Sequence, residues 1–190
     1  PPRPTSGSRR ASTPTTPTCS SVAVRPVLRL PAPALKAVAR PVNDAAGAAG
    51  AAGLAADLVD TMRAYDHCVG LAAPQIGVGL RAFCMDVTGH PKAGSCAGLV
   101  VLFDPRVVAA GTPAVAREGC MSVPDLTGNV ARPATVAVQG TTPEGTTRVV
   151  EADAIEARAL LHELDHLDGL LFLDRVTSAA TDLFRRRRYR

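Results

Sequence analysis

One segment constrains this chain more than any other, because it predicts a helix with sharply defined ends. Asp153 and Glu156 have the Asp-x-x-Glu spacing of a capping box, in which two side chains satisfy free N–H groups at a helix start. The helix is expected to continue to about Leu167, and Gly169 is well placed to end it. A helix of this kind gives a fixed spacing to any reactive side chains along it.

The same helix carries two histidines. His162 and His166 are four residues apart, which brings their side chains onto one face, one turn apart. Two imidazoles in this arrangement can occupy two corners of a metal site, and Glu163 can act on water there without binding the ion itself. The alternative is a pair of surface or core histidines that bind nothing.

A catalytic metal needs a third protein ligand, and the sequence offers few. A metalloprotease with this helical pattern takes its third ligand from downstream, but no histidine follows His166, and only Asp168, Asp174 and Asp182 remain there as acids. Upstream, Cys120 stands in the segment Glu-Gly-Cys-Met-Ser. Its thiolate would complete a set of one sulfur and two nitrogen ligands, with one position open for water. Taken alone, such a cysteine is more often a small buried apolar residue.

The remainder of the chain predicts an α+β fold. Apolar residues recur at helical spacing from Leu54 to His67. Short stretches bounded by Gly and Pro predict four strands, at Leu80–Met85, Leu99–Phe103, Thr135–Gln139 and Thr147–Glu151. We expect short antiparallel strands around the histidine-bearing helix.

Charge divides the 190-residue chain into a body and two ends. Residues 1–43 contain seven Arg or Lys and no acid, five of the last six residues are Arg, and all 17 acidic residues lie between. We expect a disordered tail over residues 1–25, a catalytic domain over 26–177 and a basic C-terminal tail over 178–190. An Arg- and Ser-rich, acid-free start is also typical of organelle transit peptides, which leaves that alternative open.

Several classes of protein are excluded by composition. No apolar run approaches 18 residues, so a membrane span is not expected. The absence of tryptophan disfavours a stacking platform for single-stranded nucleic acid. Five cysteines without paired spacing do not predict a disulfide framework, and a reducing compartment follows.

Three segments in this order resemble the motifs of the peptide deformylase family. They run from Cys68 to Gln75, from Glu118 to Ser122 and from Leu161 to His166. The family's forms are a Gly-x-Gly-x-Ala-Ala-Pro-Gln loop, a Glu-Gly-Cys-Leu-Ser segment and a Gln-His-Glu-x-Asp-His helix. The resemblance extends from about Val27 to Val176, which is most of the chain.

The resemblance implies removal of the formyl group from the N-terminal formyl-methionine of newly made polypeptides, with release of formate. It implies one divalent ion on Cys120, His162 and His166, usually Fe²⁺, with Zn²⁺, Ni²⁺ or Co²⁺ able to occupy the site. Glu163 would be the general acid and base, and the Gln75 amide and the Met121 N–H would stabilise the oxyanion. Substrate binding is expected at Val69, Gly70, Gly119, Ile155, Arg158 and Ala159.

Arg132 also falls where family members carry an arginine, and it is expected to pair with Asp165 or Glu118 as a brace for the ligands. The alternative is a solvated surface charge. Three positions depart from the family pattern. Cys68 replaces a glycine and would be strained if that position required positive φ, Met121 replaces Leu, and Leu161 replaces Gln.

Further expectations concern partners and location. The Cys68 thiol is hypothesised to make the site sensitive to oxidation. The Arg-rich C-terminus, from Ser178 to Arg190, is hypothesised to bind ribosomal RNA, since the substrate is a nascent chain, and the alternative is an unstructured solubilising tail. A cytoplasmic location is expected, or an organelle if residues 1–25 are a transit peptide. The competing functions are a metalloprotease and an inactive paralogue with a structural metal.

Overall fold

A computed structural model describes residues 24–42 and 47–186. This part of the chain forms eight strands and four α-helices, with 3₁₀ turns at Pro33–Lys36 and Ala73–Ile76. The helices are α1 (Gly47–Ala64), α2 (Ala154–Leu167), α3 (Phe172–Arg175) and α4 (Ala179–Asp182). The strands are β1 (Gly70–Ala72), β2 (Ala82–Met85), β3 (Val100–Ala110), β4 (Pro113–Cys120), β5 (Val123–Pro133), β6 (Thr135–Thr141), β7 (Thr147–Asp153) and β8 (Leu183–Arg185).

The strands form two antiparallel sheets. One has five strands in the order β1-β2-β3-β6-β7, and the other has three in the order β4-β5-β8. The α+β prediction with antiparallel strands is confirmed. The four predicted strands correspond to β2, β3, β6 and β7, whereas β1, β4, β5 and β8 were not predicted.

The five-stranded sheet lies between the two long helices. Side chains of successive strand residues point to opposite faces, and in β2 Phe83 and Met85 join the apolar cluster that contains Leu160 of α2. Cys84, between them, joins the cluster that contains Leu58 of α1. Every residue of β2 is buried for this reason. Helix α2 is thereby fixed against the sheet along its apolar face.

The start of α2 differs from the predicted capping box. Asp153 is the N-cap residue, but its side chain makes no cap hydrogen bond. Its carboxylate accepts the Ser95 N–H at 2.7 Å, and Glu156 accepts the Ser95 hydroxyl at 2.6 Å and the Ala97 N–H at 2.7 Å. The capping box is therefore wrong, because both acids bind the loop before β3 rather than the helix start.

The end of α2 agrees with the sequence prediction. Gly169 has φ +70°, the left-handed conformation that favours glycine. The Leu170 N–H donates to the Asp165 carbonyl at 2.8 Å and the Gly169 N–H to the His166 carbonyl at 3.3 Å. This pair of bonds is a Schellman motif, which satisfies carbonyls at the end of the helix.

Helix α1 begins earlier than expected, at Gly47 rather than Leu54, and ends at Ala64. The predicted N-terminal tail lies outside the described residues up to position 23. Arg25, near its predicted end, binds Asp57 of α1 at 2.8 Å. None of the helices in the described ranges is both long enough and apolar enough to cross a membrane.

The C-terminal part of the chain requires a correction. The sequence predicts a tail from Ser178 onward, but Ser178 is followed by α4 and β8. Strand β8 pairs with β5 through Leu126–Arg185, Thr127–Phe184 and Gly128–Leu183. The predicted tail is therefore folded onto the smaller sheet as far as β8. Residues 187–190 lie outside the described part.

Candidate active site

Three potential metal ligands meet between α2 and the end of β4. Ligand atoms of Cys120, His162 and His166 all lie within 4.8 Å of one another. The Cys120 Sγ is 3.2 Å from Nε2 of His166, and the two imidazole rings lie edge to face with centroids 4.9 Å apart. The sequence prediction that a cysteine far upstream joins the two helical histidines is thus matched by the geometry.

The chemistry of this set fits a divalent metal. Burial opposes ionisation of the Cys120 thiol, but the imidazoles of His166 and His162 hold its pKa well below the usual value for cysteine. A thiolate and two imidazoles are suitable ligands for iron, zinc, nickel or cobalt. Three protein ligands also leave a position open, as catalytic sites require.

Glu118 orients the first histidine. Its carboxylate lies 2.9 Å from Nδ1 of His162, which leaves Nε2 of that ring for the metal. It also accepts hydrogen bonds from Arg132 at 2.6 and 3.0 Å and from Arg158 at 2.7 Å. Burial would raise the pKa of Glu118, but the hydrogen bonds from His162 and Arg132 lower it to about 2.

Arg132 links Glu118 to a second buried acid. Its guanidinium lies 2.8 Å from Asp165, on α2 just before His166, and donates to the Leu161 carbonyl at 3.2 Å. Arg132 is 4% exposed, so the alternative of a solvated surface charge is wrong. The prediction of a pair with Asp165 or Glu118 is confirmed for both acids. Arg175 also binds Asp165, at 2.6 Å.

Glu163 is buried beside the ligands. It is 4% exposed, its Oε2 has no hydrogen-bond partner among the described residues, and burial raises its pKa to about 7. Gly70 gives it room: a Cβ on Gly70 would lie 2.5 Å from Oε1 of Glu163. A carboxyl group with such a pKa and a free oxygen can both accept and return a proton near neutral pH.

Gln75 presents its amide to the same centre. Its side-chain oxygen accepts the Ala72 N–H at 2.9 Å, which fixes the orientation of the amide. The NH₂ group then faces the Ser122 hydroxyl at 3.2 Å and the Cys120 sulfur at 3.5 Å. A buried donor is therefore held next to the ligands.

These groups border a cavity of about 280 Å³. Its lining includes Glu163, Gln75, Met121 and all six residues expected to bind substrate, namely Val69, Gly70, Gly119, Ile155, Arg158 and Ala159. Cys68, expected near the site, is also part of the lining, and four further lining residues were not predicted: Asp66, His67, Arg117 and Arg186.

Arg158 has a structural connection that the sequence prediction missed. Its guanidinium donates to Glu118, to the Val130 carbonyl at 2.9 Å and to the Ala114 carbonyl at 2.8 Å. It therefore joins α2 to β4 and β5 as well as lining the cavity. The sequence feature that could have indicated these contacts is the position of Arg158 four residues before His162, on the same helix face.

Cys68 is neither strained nor readily ionised. Its backbone φ is not positive; among the described residues it is the preceding residue, His67, that has a positive φ, at 61°. The strain expected at Cys68 is therefore wrong. Its thiol donates to the Gly70 carbonyl at 3.1 Å, and burial and the Glu163 carboxylate raise its pKa to about 12. Since oxidants attack the thiolate, this environment argues against the hypothesis that Cys68 sensitises the site.

Comparison with known proteins identifies the family of this chain. The sequence model of the polypeptide deformylase family matches residues 24–182. The chain belongs to this family. A peptide deformylase of Rhizobium meliloti is 39% identical over 166 residues, 86% of this chain and 91% of that relative.

Solved deformylase structures show the same fold. One from Legionella pneumophila has a TM-score of 0.72 and 34% identity, and the match covers 82% of this chain and 87% of that one. A Met-Ala-Ser-bound class I type b peptide deformylase from Acinetobacter baumannii has a TM-score of 0.73 and 30% identity, with 80% of this chain and 99% of that one covered. This chain is thus a metal-dependent deformylase that removes the N-formyl group from nascent peptides.

Proposed function

We propose that this deformylase works with one divalent ion held by Cys120, His162 and His166, and that Fe²⁺ is the ion in the cell. Zn²⁺, Ni²⁺ and Co²⁺ suit the same ligands. The clustering of three ligand atoms within 4.8 Å is the observation that carries the assignment of the ligands, whereas the choice of Fe²⁺ rests on the family resemblance. The ion would supply Lewis-acid activation of water and polarisation of the formyl carbonyl.

Glu163 is the proposed general base and acid. It takes a proton from the attacking water as oxygen bonds to the formyl carbon. It then gives that proton to the leaving nitrogen as the C–N bond breaks, which yields formate and a free methionyl amine. The Oε2 atom, which has no hydrogen-bond partner among the described residues, and the pKa of about 7 support this role, because the group can hold or release a proton at neutral pH.

Gln75 and Met121 are the proposed donors to the oxyanion. The Gln75 amide is already oriented by the Ala72 N–H, so little reorganisation is needed when charge develops. The backbone N–H of Met121, the residue after Cys120, is the second proposed donor. One donor of this kind is typically worth about 3 kcal/mol of transition-state stabilisation.

The peptide is proposed to bind as an extra strand between two sheet edges. Strand β1 is an edge of the larger sheet and β4 an edge of the smaller one, and both border the cavity. Val69 and Gly70 lie on one side and Gly119 on the other, so backbone pairing would tolerate many sequences after the methionine. The Met-Ala-Ser peptide bound to the Acinetobacter relative has the form of a deformylated product.

The methionine side chain is proposed to lie against Val69, Ile155 and Ala159. Val69 and Ile155 are partly buried and pack on the apolar cluster shared by α2 and the sheet. A narrow apolar wall suits an unbranched thioether side chain. Arg158 would border this space while holding Glu118 in place.

The enzyme is proposed to act in the cytoplasm on nascent chains, with its Arg-rich C-terminus on ribosomal RNA. The charge distribution supports this, because five arginines follow a body that contains every acidic residue. The transit-peptide alternative rests on residues 1–25, of which 1–23 lie outside the described structure.

Two variants test the proposed roles. Glu163→Gln should keep a full complement of metal and release formate from formyl-Met-Ala at least about 10²-fold more slowly, since proton transfer typically contributes 10²–10⁴-fold. Cys120→Ser should instead lose metal, because a hydroxyl replaces a thiolate ligand. Elemental analysis of protein purified without oxygen measures both occupancy and the identity of the ion. Near-normal turnover in the first variant, or full occupancy in the second, would refute the corresponding role.

A further inference from the structure

The end of the described chain returns to the active-site cavity. Strand β8 pairs with β5, and the Arg186 N–H donates to the Asp125 carbonyl at 2.8 Å. Two residues earlier, the Phe184 ring lies under the Arg117 guanidinium, 3.5 Å from its Cζ to the ring centroid. These contacts fix the backbone around Arg186, the residue that follows β8.

The Arg186 guanidinium lies against Gly119. A Cβ added to Gly119 would overlap Nη2 of Arg186 and lie 3.1 Å from its Cζ. Gly119 immediately precedes Cys120 and forms part of the β4 edge along which the peptide is proposed to lie. Arg186 and Arg117 both line the cavity. The β4 side of the cavity therefore carries two guanidinium groups.

Arg186 is not neutralised by the protein around it. Within residues 24–42 and 47–186, no carboxylate forms a salt bridge with it. The cavity lining also contains an exposed acid, Asp66. It lies between α1 and β1, and it does not form a salt bridge with Arg186. The Arg186 side chain is exposed, so its charge is available to a bound molecule.

We infer that Arg186 is a specificity determinant that favours formyl-methionyl peptides with an acidic side chain soon after the methionine. The inference rests on the proposed course of the peptide along Gly119. A carboxylate carried on the peptide past that point comes within reach of a guanidinium that forms no ion pair with the described acidic residues, whereas a lysine there is repelled. Because Arg186 lies against Gly119, on the proposed course of the peptide, it is expected to affect peptide choice rather than bond cleavage.

The test compares peptides within one enzyme. Formyl-Met-Ala-Glu-amide, formyl-Met-Ala-Gln-amide and formyl-Met-Ala-Lys-amide differ only in one side chain and lack a free carboxyl terminus. The ratio of kcat/KM for Glu over Gln should be about threefold at low salt, as for an exposed ion pair, and should fall as salt is added. The Lys peptide should be the slowest.

Variants assign the effect to one residue. Arg186→Gln should bring the three peptides close to equal rates, and Arg186→Lys should restore most of the preference. Arg185→Gln removes the same charge from the neighbouring residue, which is not part of the cavity lining, and should keep the preference.

The outcomes separate this inference from the proposed function. Formate release from the neutral peptide should be similar in all these variants. Equal peptide ratios in wild type and Arg186→Gln, or equal loss in Arg185→Gln, would overturn the role of Arg186 while leaving the proposed catalytic roles intact. Loss of turnover on the neutral peptide in Arg186→Gln would also overturn it, because the residue would then act on the reaction itself.

Discussion

Arg132 joins two buried acids, each of which also binds a second arginine, Arg158 or Arg175. Glu118 and Asp165 are each about as buried as Arg132 itself, and its guanidinium lies 2.6 Å from one and 2.8 Å from the other. Removal of one partner from a buried ion pair leaves an uncompensated charge, which typically costs about 3–5 kcal/mol. Since Glu118 orients His162, the same change should also disturb the metal site.

Arg132→Met should therefore lower the free energy of unfolding by about 3–5 kcal/mol in urea titrations of the metal-loaded protein. Arg175→Met is the matched control, because Arg175 binds the same Asp165 at 2.6 Å but its side chain is 46% exposed. It should cost less than about 1 kcal/mol. Equal losses in the two variants would show that the buried position of Arg132 does not determine its contribution.

For single residues, the sequence predicts the reactive groups better than the residues that hold them in place. The ligands and Glu163 have motifs that fix their spacing on one helix and one short segment, and Arg132 could be placed by resemblance. The three bonds of Arg158 to Glu118, Val130 and Ala114 connect positions 28 to 44 residues apart, which no local pattern specifies. Asp153 and Glu156 show the reverse case, since they have the spacing of a capping box but bind the loop at Ser95 instead of the helix start.

Among the elements, α2 owes its sharp end to Gly169. The position has φ +70°, and a Cβ there would lie 2.8 Å from the Lys36 carbonyl oxygen and 3.0 Å from its carbon. Backbone atoms cannot move away as a flexible side chain can. Any other residue at this position would therefore add a clash to the cost of the left-handed conformation.

Gly169→Ala should destabilise the protein by more than the about 1–2 kcal/mol that the left-handed conformation alone costs an L-residue. Gly145→Ala separates the two contributions, because Gly145 has φ +82° but a Cβ there would meet nothing within 4 Å. The difference between the two free energies of unfolding, measured in urea, gives the cost of the contact with Lys36. A Gly145→Ala variant as unstable as Gly169→Ala would contradict this assignment.

The strands that were missed have little local signal. Only two of the eight residues of β4, Glu118 and Cys120, are buried, so the strand lacks the alternation of apolar residues that sequence patterns detect. It is held instead by its pairing with β5 from Pro113 to Cys120. Strand β8 has three residues next to a run of arginines, and its pairing partner Leu126–Gly128 lies far away in sequence. Tertiary pairing, rather than propensity, makes these segments strands.

For the molecule as a whole, charge is distributed by position along the chain. All 17 acidic residues lie between two basic ends, and the folded body would repel RNA without the arginines. The structure places Arg186 in the lining of the cavity, so the last four residues follow a residue that borders the proposed peptide site. A contact of these residues with ribosomal RNA would hold the cavity close to emerging chains.

A chain ending at Arg186 tests this contact while keeping β8 and the cavity lining. A cut after Phe184 would remove part of both, so it could not separate docking from catalysis. The shortened enzyme should release formate from formyl-Met-Ala at the normal rate but co-sediment less with ribosomes. Each lost phosphate contact should reduce the slope of log K against log salt by about 0.7–0.9. Replacement of Arg187, Arg188 and Arg190 by lysine keeps the charge and should keep most of the ribosome binding. Unchanged co-sedimentation of the shortened chain over the salt series would refute the role of these residues in docking.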